Sequence, residues 1–201
     1  MKGNELFICV CSSDKAKEVT KELDENFIVH SINSFEWTQK NENVERLNLS
    51  SLKYGKFSPT SNKINVFIYS CGLGENRPIF SRMHDELNAI FKESILLSSN
   101  KDEYDYISLL FYSIDELELL ETPLKFNGEA QVYNRDLTAE NGWESFEECF
   151  KVANLTNNWV VLRNSEYLPN DFFGNDKDVD VLCEDKEKLI KVLNAKNRHN
   201  G

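Results

Sequence analysis

Two aspartates, Asp178 and Asp180, stand two residues apart in the otherwise apolar run "DVDVLC" near the end of the chain. Alternate side chains of a β-strand point to the same side, so both carboxylates would share one side while Val179 and Val181 enter the core. Carboxylates are costly in an interior unless something neutralises them. The run is therefore either an edge strand with one solvated face or a strand whose carboxylates hold a cation. Mg²⁺, a hard cation that prefers oxygen ligands, suits such a pair.

A calcium loop is a second interpretation of the same carboxylates. Asp176, Asp178, Asp180 and Glu187 match the spacing of side-chain ligands in an EF-hand loop. That loop needs Gly at its sharp turn, where this chain has Val181. Strand geometry therefore suits the segment better than a calcium loop does.

The elements around the aspartates are predicted from hydrophobic periodicity and turn residues. "WESFEECFKVANLTNN" is typical of a helix and "WVVLRN" of a strand, and the bend "SEYLPNDFFGN" contains Pro169 and Gly174. "DVDVLC" follows as a second strand, and "EDKEKLIKVLNAK" as a helix with Leu189, Val192 and Leu193 facing inward. The predicted order is helix, strand, strand, helix.

This order, with Asp-x-Asp in the second strand, resembles the core of the nucleotidyltransferase superfamily, the DNA polymerase β-like fold. In that family an apolar residue, Gly, and then Gly or Ser precede the aspartate pair. Here Leu162-Arg163-Asn164 precedes Asp178-Val179-Asp180-Val181, with residues 165–177 between them. The phrases "VVLRNSEYLP" and "DKDVDVL" look like a divergent branch found near bacterial polysaccharide-synthesis genes. The resemblance covers roughly the last third of the chain, from Trp143 to Lys196.

The resemblance implies a reaction and a set of site residues. Asp178 and Asp180 would be the catalytic residues and the ligands of Mg²⁺ or Mn²⁺, and the substrate would be an NTP. The nucleotidyl group would pass to a sugar, a phosphate or a protein hydroxyl. Arg163 and Asn164 stand where the family has small residues beside the phosphates, so they would bind substrate, and Arg163 could grip a phosphate bidentately.

The family usually has a third carboxylate on the following strand, and this chain reaches Gly201 soon after its last helix. Three alternatives stay open: a truncated module, a degenerate fold, or a third group from another segment. The competing functions are a non-catalytic binding or regulatory protein with a degenerate nucleotidyltransferase fold, and a fragment of a larger polysaccharide-synthesis enzyme.

The preceding part of the chain, residues 1–128, is predicted to be an α/β domain of unassigned function. "ELFICVCSSDKAKEVTKELDENFIVHSI" indicates a strand, a helix and a strand, a βαβ-type opening. Residues 33–63 are polar and indicate a loop, 64–70 a strand, and 78–92 a helix. Of residues 103–121, only the second half is predicted to be helical. Residues 122–142 indicate a junction.

The predicted helix at 78–92 has one apolar face. Its apolar stripe comprises Ile79, Met83, Leu87, Ile90 and Phe91. His84 and Asp85 are predicted to form a surface pair. Before the helix, Gly72 and Gly74 indicate a tight turn rather than a phosphate-binding loop, because the full glycine fingerprint is absent.

The predicted fold class is therefore α/β (α+β), with the N-terminal α/β domain followed by a partial helix-strand-strand-helix module at residues 140–198. The net charge of −11 argues against a broad nucleic-acid surface, although a small nucleotide needs only a local pocket. No apolar run approaches the length of a membrane span. The five scattered cysteines favour reduced thiols, and no signal peptide is predicted, so we expect a cytoplasmic location. The oligomeric state is not predicted.

Overall fold

The structure is a computed structural model that describes residues 5–49, 52–54, 56–71, 77–120, 126, 128–140, 142–162, 168 and 179–195, with the backbone alone for 77–79. It confirms the mixed α/β class. A five-stranded sheet and a separate two-stranded sheet combine with helices throughout these ranges.

The larger sheet has the strand order β4-β1-β3-β2-β5. Its strands are β1 (Leu6–Ser12), β2 (Ile28–Glu36), β3 (Lys63–Ser70), β4 (Ile95–Leu97) and β5 (Gln131–Tyr133). β3 pairs antiparallel with both β1 and β2, and β4 pairs antiparallel with β1. β5 adds a parallel strand beside β2.

The helices in these ranges are α1 (Ala16–Asn26), α2 (Lys40–Leu47), α3 (Arg77–Phe91), α4 (Lys101–Phe111), α5 (Ile114–Leu120), α6 (Phe146–Asn154) and α7 (Lys186–Val192). A 3₁₀ turn at Lys92–Ser94 follows α3. The smaller sheet pairs β6 (Trp159–Val161) antiparallel with β7 (Val181–Cys183).

The first four strands form two interleaved split βαβ units. β1 and β2 are both antiparallel to β3, so they run parallel to each other with β3 between them; β3 and β4 likewise flank β1. This is the ferredoxin-like strand order. The predicted strand, helix and strand at the start of the chain are confirmed, although the two strands are not neighbours in the sheet.

Both faces of the larger sheet are buried. Alternation along β1 directs Phe7, Cys9 and Cys11 to the face covered by α1 and α3, and Ile8 and Val10 to the opposite face. The second face packs against residues of α2, α4, α6 and α7. The sheet is therefore the middle of three layers. All five cysteines are free thiols, as predicted.

Several predicted elements differ from the structure because burial there does not follow a simple apolar stripe. Residues 33–63 were expected to be a loop, but β2 extends to Glu36 and α2 follows. α2 buries Asn43, Arg46 and Leu47, so two of its three buried residues are polar and hide the helical period. α4 covers the first half of residues 103–121, which was not expected to be helical. It is buried at every position from Tyr106 to Phe111, which removes any periodic contrast.

The predicted stripe of α3 is rotated. The buried residues are Phe80, His84, Leu87 and Phe91, whereas Ile90 is 61% exposed. The predicted surface position of His84 is wrong, since its exposed fraction is 0%. His84 occupies a core position because its four-three-four spacing with the flanking apolar residues continues the stripe.

The C-terminal elements α6, β6, β7 and α7 follow in the predicted order helix, strand, strand, helix. α6 packs against α4 and α7. Val152 of α6 and Val192 of α7 belong to the same hydrophobic cluster as Ile8 and Val66 of the larger sheet. Buried contacts thus cross the predicted division between residues 128 and 140. None of the helices in the described ranges is long and apolar enough to cross a membrane.

Candidate functional site

The aspartate pair is only partly covered by the structure. Asp178, Arg163 and Asn164 lie outside the described residues, as does Asp176 of the calcium-loop alternative. Asp180 is described: it directly precedes β7 and is half-buried. Its main-chain oxygen accepts a hydrogen bond from the Leu162 N–H at 2.8 Å, which extends the β6–β7 pairing by one residue.

The predicted inward orientation of the neighbouring valines is wrong. Val179 is half-buried and Val181 is 40% exposed, so neither reaches the core. The physical reason is that β6 and β7 form a separate two-stranded sheet rather than joining the larger one. Asp180 consequently lies at the entry of this separate sheet, directly before β7.

One face of the β6–β7 sheet is apolar and exposed. Val160 lies opposite Leu182, and Leu162 lies opposite Asp180, and residues directly opposite each other share a face. The exposed fractions are 52% for Val160, 59% for Leu162 and 61% for Leu182. Asp180 therefore shares its face with three exposed aliphatic side chains.

Asp180 offers a carboxylate to a divalent cation. A carboxylate oxygen is a ligand type that Mg²⁺ prefers, and Mg²⁺ commonly keeps several waters. No group of three His, Cys, Asp or Glu side chains that could hold a metal occurs among the described residues.

A depression lies at the other end of β7. It has a volume of about 650 Å³ and is lined by residues 154–158 and 184–188. Asn157 Nδ2 donates to the Asp185 main-chain oxygen at 2.6 Å, and Asn158 Nδ2 donates to Glu184 Oε2 at 2.8 Å. These bonds join the end of α6 to the start of α7, so they serve the packing of the module.

A second cleft, which the sequence did not indicate, lies between the larger sheet, α3 and the start of α4. Its volume is about 460 Å³. Its floor consists of Phe7 from β1, Tyr54 from the segment between α2 and β3, and Phe80 from α3, and each is less than a tenth exposed. Its rim is polar and is formed by Glu5, Lys53, Ser81, Ser99, Asn100, Lys101 and Asp102.

A buried histidine lies behind this aromatic floor. The His84 ring centroid is 4.0 Å from that of Phe80 and 5.7 Å from those of Phe7 and Tyr54. His84 Nε2 and the Tyr69 hydroxyl are 2.7 Å apart. Burial, with a smaller effect of nearby Lys53, lowers the pKa of His84 to about 3, and burial also raises the pKa of Tyr69. Both groups are therefore neutral at physiological pH, and they stabilise the floor.

Hydrogen bonds hold the rim of the cleft in place. Lys53 Nζ donates to the Tyr54 hydroxyl at 2.8 Å and to Ser81 Oγ at 3.2 Å. Glu103 accepts from the main-chain N–H groups of Lys53 at 3.0 Å and Ser99 at 2.6 Å. Asn100 caps the N-terminus of α4 by accepting from the Glu103 N–H at 2.9 Å. The rim is thus tied to the start of α4.

A serine and a histidine lie within hydrogen-bond distance of each other, as a nucleophile and its base would. His30 Nε2 lies 2.8 Å from Ser70 Oγ, and the pairing of β2 with β3 is irregular at His30. Ser70 is 0% exposed, so a substrate could not reach its hydroxyl. The pair satisfies a buried hydroxyl. Gly72 and Gly74, which follow this position, lie outside the described residues.

Comparisons with family models, with curated proteins and with solved structures found no match to this chain.

Proposed function

We propose that this chain is a nucleotidyltransferase-like protein that binds an NTP together with Mg²⁺ or Mn²⁺ at Asp178 and Asp180. The observation that supports this proposal is the helix-strand-strand-helix order of α6, β6, β7 and α7, with Asp180 at the entry of the second strand. The Leu162–Asp180 backbone bond extends the β6–β7 pairing to Asp180, one of the two aspartates on which the sequence resemblance rests. The acceptor would be a hydroxyl or phosphate oxygen of a sugar, a phosphate compound or a protein.

The roles of the residues follow from their chemistry. Asp178 and Asp180 would hold the ion, which when bound supplies positive charge against the triphosphate. Arg163 would position a phosphate through two parallel hydrogen bonds, and Asn164 would donate to a further phosphate oxygen.

In the proposed transfer, one P–O bond forms and one P–O bond breaks. The acceptor oxygen attacks the α-phosphorus of the NTP and forms a new P–O bond. The bond between the α-phosphorus and the bridging oxygen breaks, pyrophosphate leaves with that electron pair, and the acceptor hydroxyl releases its proton to water. The chain's contribution is to align the acceptor and the leaving group.

Thermal unfolding tests the proposal with Mg²⁺ or Mn²⁺ alone, each NTP alone, and both together. Ligand at a hundred times its dissociation constant adds about 2.7 kcal/mol to the free energy of unfolding. At this chain length the midpoint should rise by about 5–10 °C. We expect a shift that needs both metal and nucleotide and that disappears in Asp178→Asn/Asp180→Asn.

The matched control is Asp24→Asn/Glu25→Gln, which removes the same charge from the exposed surface of α1. It should keep the full ligand-induced shift. If the wild type shows no shift with any pair of metal and NTP, the proposal is wrong. If the control loses the shift as well, the effect reflects the net charge of the chain and not the aspartate pair.

A second candidate function is a non-catalytic binding or regulatory role for the same module, or a role as part of a larger polysaccharide-synthesis enzyme. The exposed apolar face of Val160, Leu162 and Leu182 favours it, because such a face commonly contacts another protein surface. In that case the aspartate double variant would unfold at the same midpoint as the wild type or higher, with or without NTP.

A further inference from the structure

We infer that the cleft between β1, α3 and the start of α4 is a second binding site, and that it takes a zwitterionic amino acid with an aromatic or large apolar side chain. The cleft is formed by elements other than α6, β6, β7 and α7, so this inference is independent of the proposed function.

The floor suits the side chain of such a ligand. Phe7, Tyr54 and Phe80 meet at the base of the cleft, and the Phe7 and Phe80 ring centroids are 3.9 Å apart. Aromatic rings contact further rings and large aliphatic groups favourably through offset or edge contacts. Because His84 behind them is neutral and buried, the floor offers no charge to a ligand.

The rim supplies charges of both signs. Lys53 and Lys101 carry ammonium groups, and Glu5 and Asp102 carry carboxylates. Because ammonium and carboxylate groups both line the cleft, it can pair with a ligand that carries one charge of each sign.

The lysine ammonium groups can exchange their present partners for a ligand carboxylate. Lys53 Nζ lies 3.4 Å from Asp85, and the side chains are 48% and 60% exposed. Lys101 Nζ lies 2.5 Å from Asp105, with the lysine side chain 64% exposed. Exposed pairs of this kind contribute little to stability, so replacing one costs little. Lys53 is better placed because Tyr54 and Ser81 already fix its Nζ.

The opposite end of the ligand would meet the first turn of α4. Asp102 is exposed on the rim and accepts from an ammonium group without leaving the helix. Ser81, Ser99 and Asn100 add neutral hydrogen-bonding groups between the two charged ends. The volume of about 460 Å³ lies in the lower part of the range for small-molecule sites, about 300–1,000 Å³, which favours a ligand of amino-acid size.

Calorimetric titration of the full chain tests this inference with three probes of one shape: L-phenylalanine, 3-phenylpropanoate, which lacks the ammonium group, and 2-phenylethylamine, which lacks the carboxylate. We expect L-phenylalanine to bind at least about tenfold more tightly than either of the others, since one charged hydrogen bond is worth about a factor of ten or more. L-Leucine should bind measurably through the floor.

Two variants assign the ends of the ligand. Lys53→Met should weaken the binding of L-phenylalanine at least about tenfold and leave the affinity for 2-phenylethylamine unchanged. Asp102→Asn should weaken the binding of L-phenylalanine and of 2-phenylethylamine, and leave the affinity for 3-phenylpropanoate unchanged. Lys21→Met, which removes an exposed lysine of α1, is the matched control and should change none of the three affinities. Circular dichroism confirms that each variant folds.

The inference is overturned if L-phenylalanine does not bind at millimolar concentration. It is also overturned if 3-phenylpropanoate binds as tightly as L-phenylalanine, because the cleft is then an anion site. Equal affinities in Lys53→Met and Lys21→Met would overturn it as well.

Discussion

Arg46 is 4% exposed, and its hydrogen-bond acceptors among the described residues are main-chain oxygens instead of carboxylates. It donates through Nη1 to Thr138 at 2.7 Å and through Nη2 to Val192 at 3.1 Å. Burial lowers its pKa to about 10, which leaves the guanidinium charged at neutral pH. The carbonyls at the end of α7 are suited to a cation, because the C-terminus of a helix carries partial negative charge. One side chain thus joins α2 to the final helix.

Replacing Arg46 by Met should therefore destabilise the fold. Met fills similar space but leaves two buried carbonyls without their donor, so we expect a loss of about 3 kcal/mol in the free energy of unfolding, measured in urea. Arg82→Met is the matched control: Arg82 is 81% exposed and pairs with Glu86 on the same helix, so its loss should be below about 0.5 kcal/mol. Equal losses in the two variants would contradict the role of Arg46.

His84 should make the stability of the protein depend on pH. The folded state keeps its imidazole neutral down to about pH 3, whereas an unfolded chain takes up a proton near pH 6.5. Between these values the unfolded state binds more protons, so stability falls as the pH falls. We expect about 2 kcal/mol of loss between pH 7 and pH 5 from this residue.

Urea unfolding of His84→Gln at the two pH values measures this contribution. Gln cannot titrate and can still reach the Tyr69 hydroxyl, so the variant should lose about 2 kcal/mol less than the wild type between pH 7 and pH 5. His30 is half-buried and its pKa is also lowered by burial, so His30→Gln is the control for a smaller effect in the same direction. A pH dependence of His84→Gln equal to that of the wild type would show that position 84 is not responsible.

At the scale of elements, α2 depends on a residue far along the chain. Asp136 is 4% exposed and accepts from the N–H groups of Thr38 and Gln39, each at 2.9 Å, and from Asn43 Nδ2 at 2.6 Å. These groups lie at the N-terminus of α2, where backbone donors lack partners within the helix. The Asp136 carboxylate, in the segment that follows β5, therefore caps the N-terminus of α2.

We expect Asp136→Asn to lower the free energy of unfolding by about 2 kcal/mol, because an amide accepts fewer and weaker hydrogen bonds than a carboxylate. Glu140→Gln provides a close comparison. Glu140 also contacts Gln39, at 2.7 Å from Nε2, but this bond is exposed. Its replacement should cost below about 0.5 kcal/mol in the same urea titration, and a larger effect at position 140 than at 136 would refute the capping role.

The contact between α2 and Asp136 shows why some elements could be predicted from the sequence and others could not. β1, α1, β3, α6 and α7 show ordinary periodicity, and their prediction succeeded. α2 shows little, because its position is set by Arg46, Asn43 and the remote Asp136, and long-range polar contacts leave no local pattern. α4 is buried nearly all round, so it has no polar face to reveal its period. The cleft was missed for a related reason: its floor comes from three distant segments, and only the fold brings Phe7, Tyr54 and Phe80 together.

For the whole molecule, the decisive feature is the second face of the larger sheet. In the ferredoxin-like arrangement α1 and α3 cover one face, and here the other face packs against α2, α4, α6 and α7. Trp143 Nε1 donates to the Leu193 main-chain oxygen at 3.0 Å, and Arg46 bonds to Val192, so polar contacts reinforce the apolar ones. We therefore expect residues on the two sides of the predicted division to unfold together.

A single reporter tests this cooperativity. In the variant Trp143→Phe/Trp159→Phe, the remaining Trp37 is 1% exposed and reports on the packing of β2 and α4. Adding Val192→Ala in α7 should remove about 2 kcal/mol through the cavity it leaves. If the chain unfolds as one unit, this loss of free energy of unfolding lowers the urea concentration at the midpoint of the Trp37 fluorescence transition. Val160→Ala, at a position 52% exposed in β6, should leave the midpoint nearly unchanged. The opposite outcome is a Trp37 transition that Val192→Ala does not shift, together with a loss of helix by circular dichroism at a lower urea concentration. It would establish two independently unfolding units, and the module from residue 140 onward would then be a separate domain.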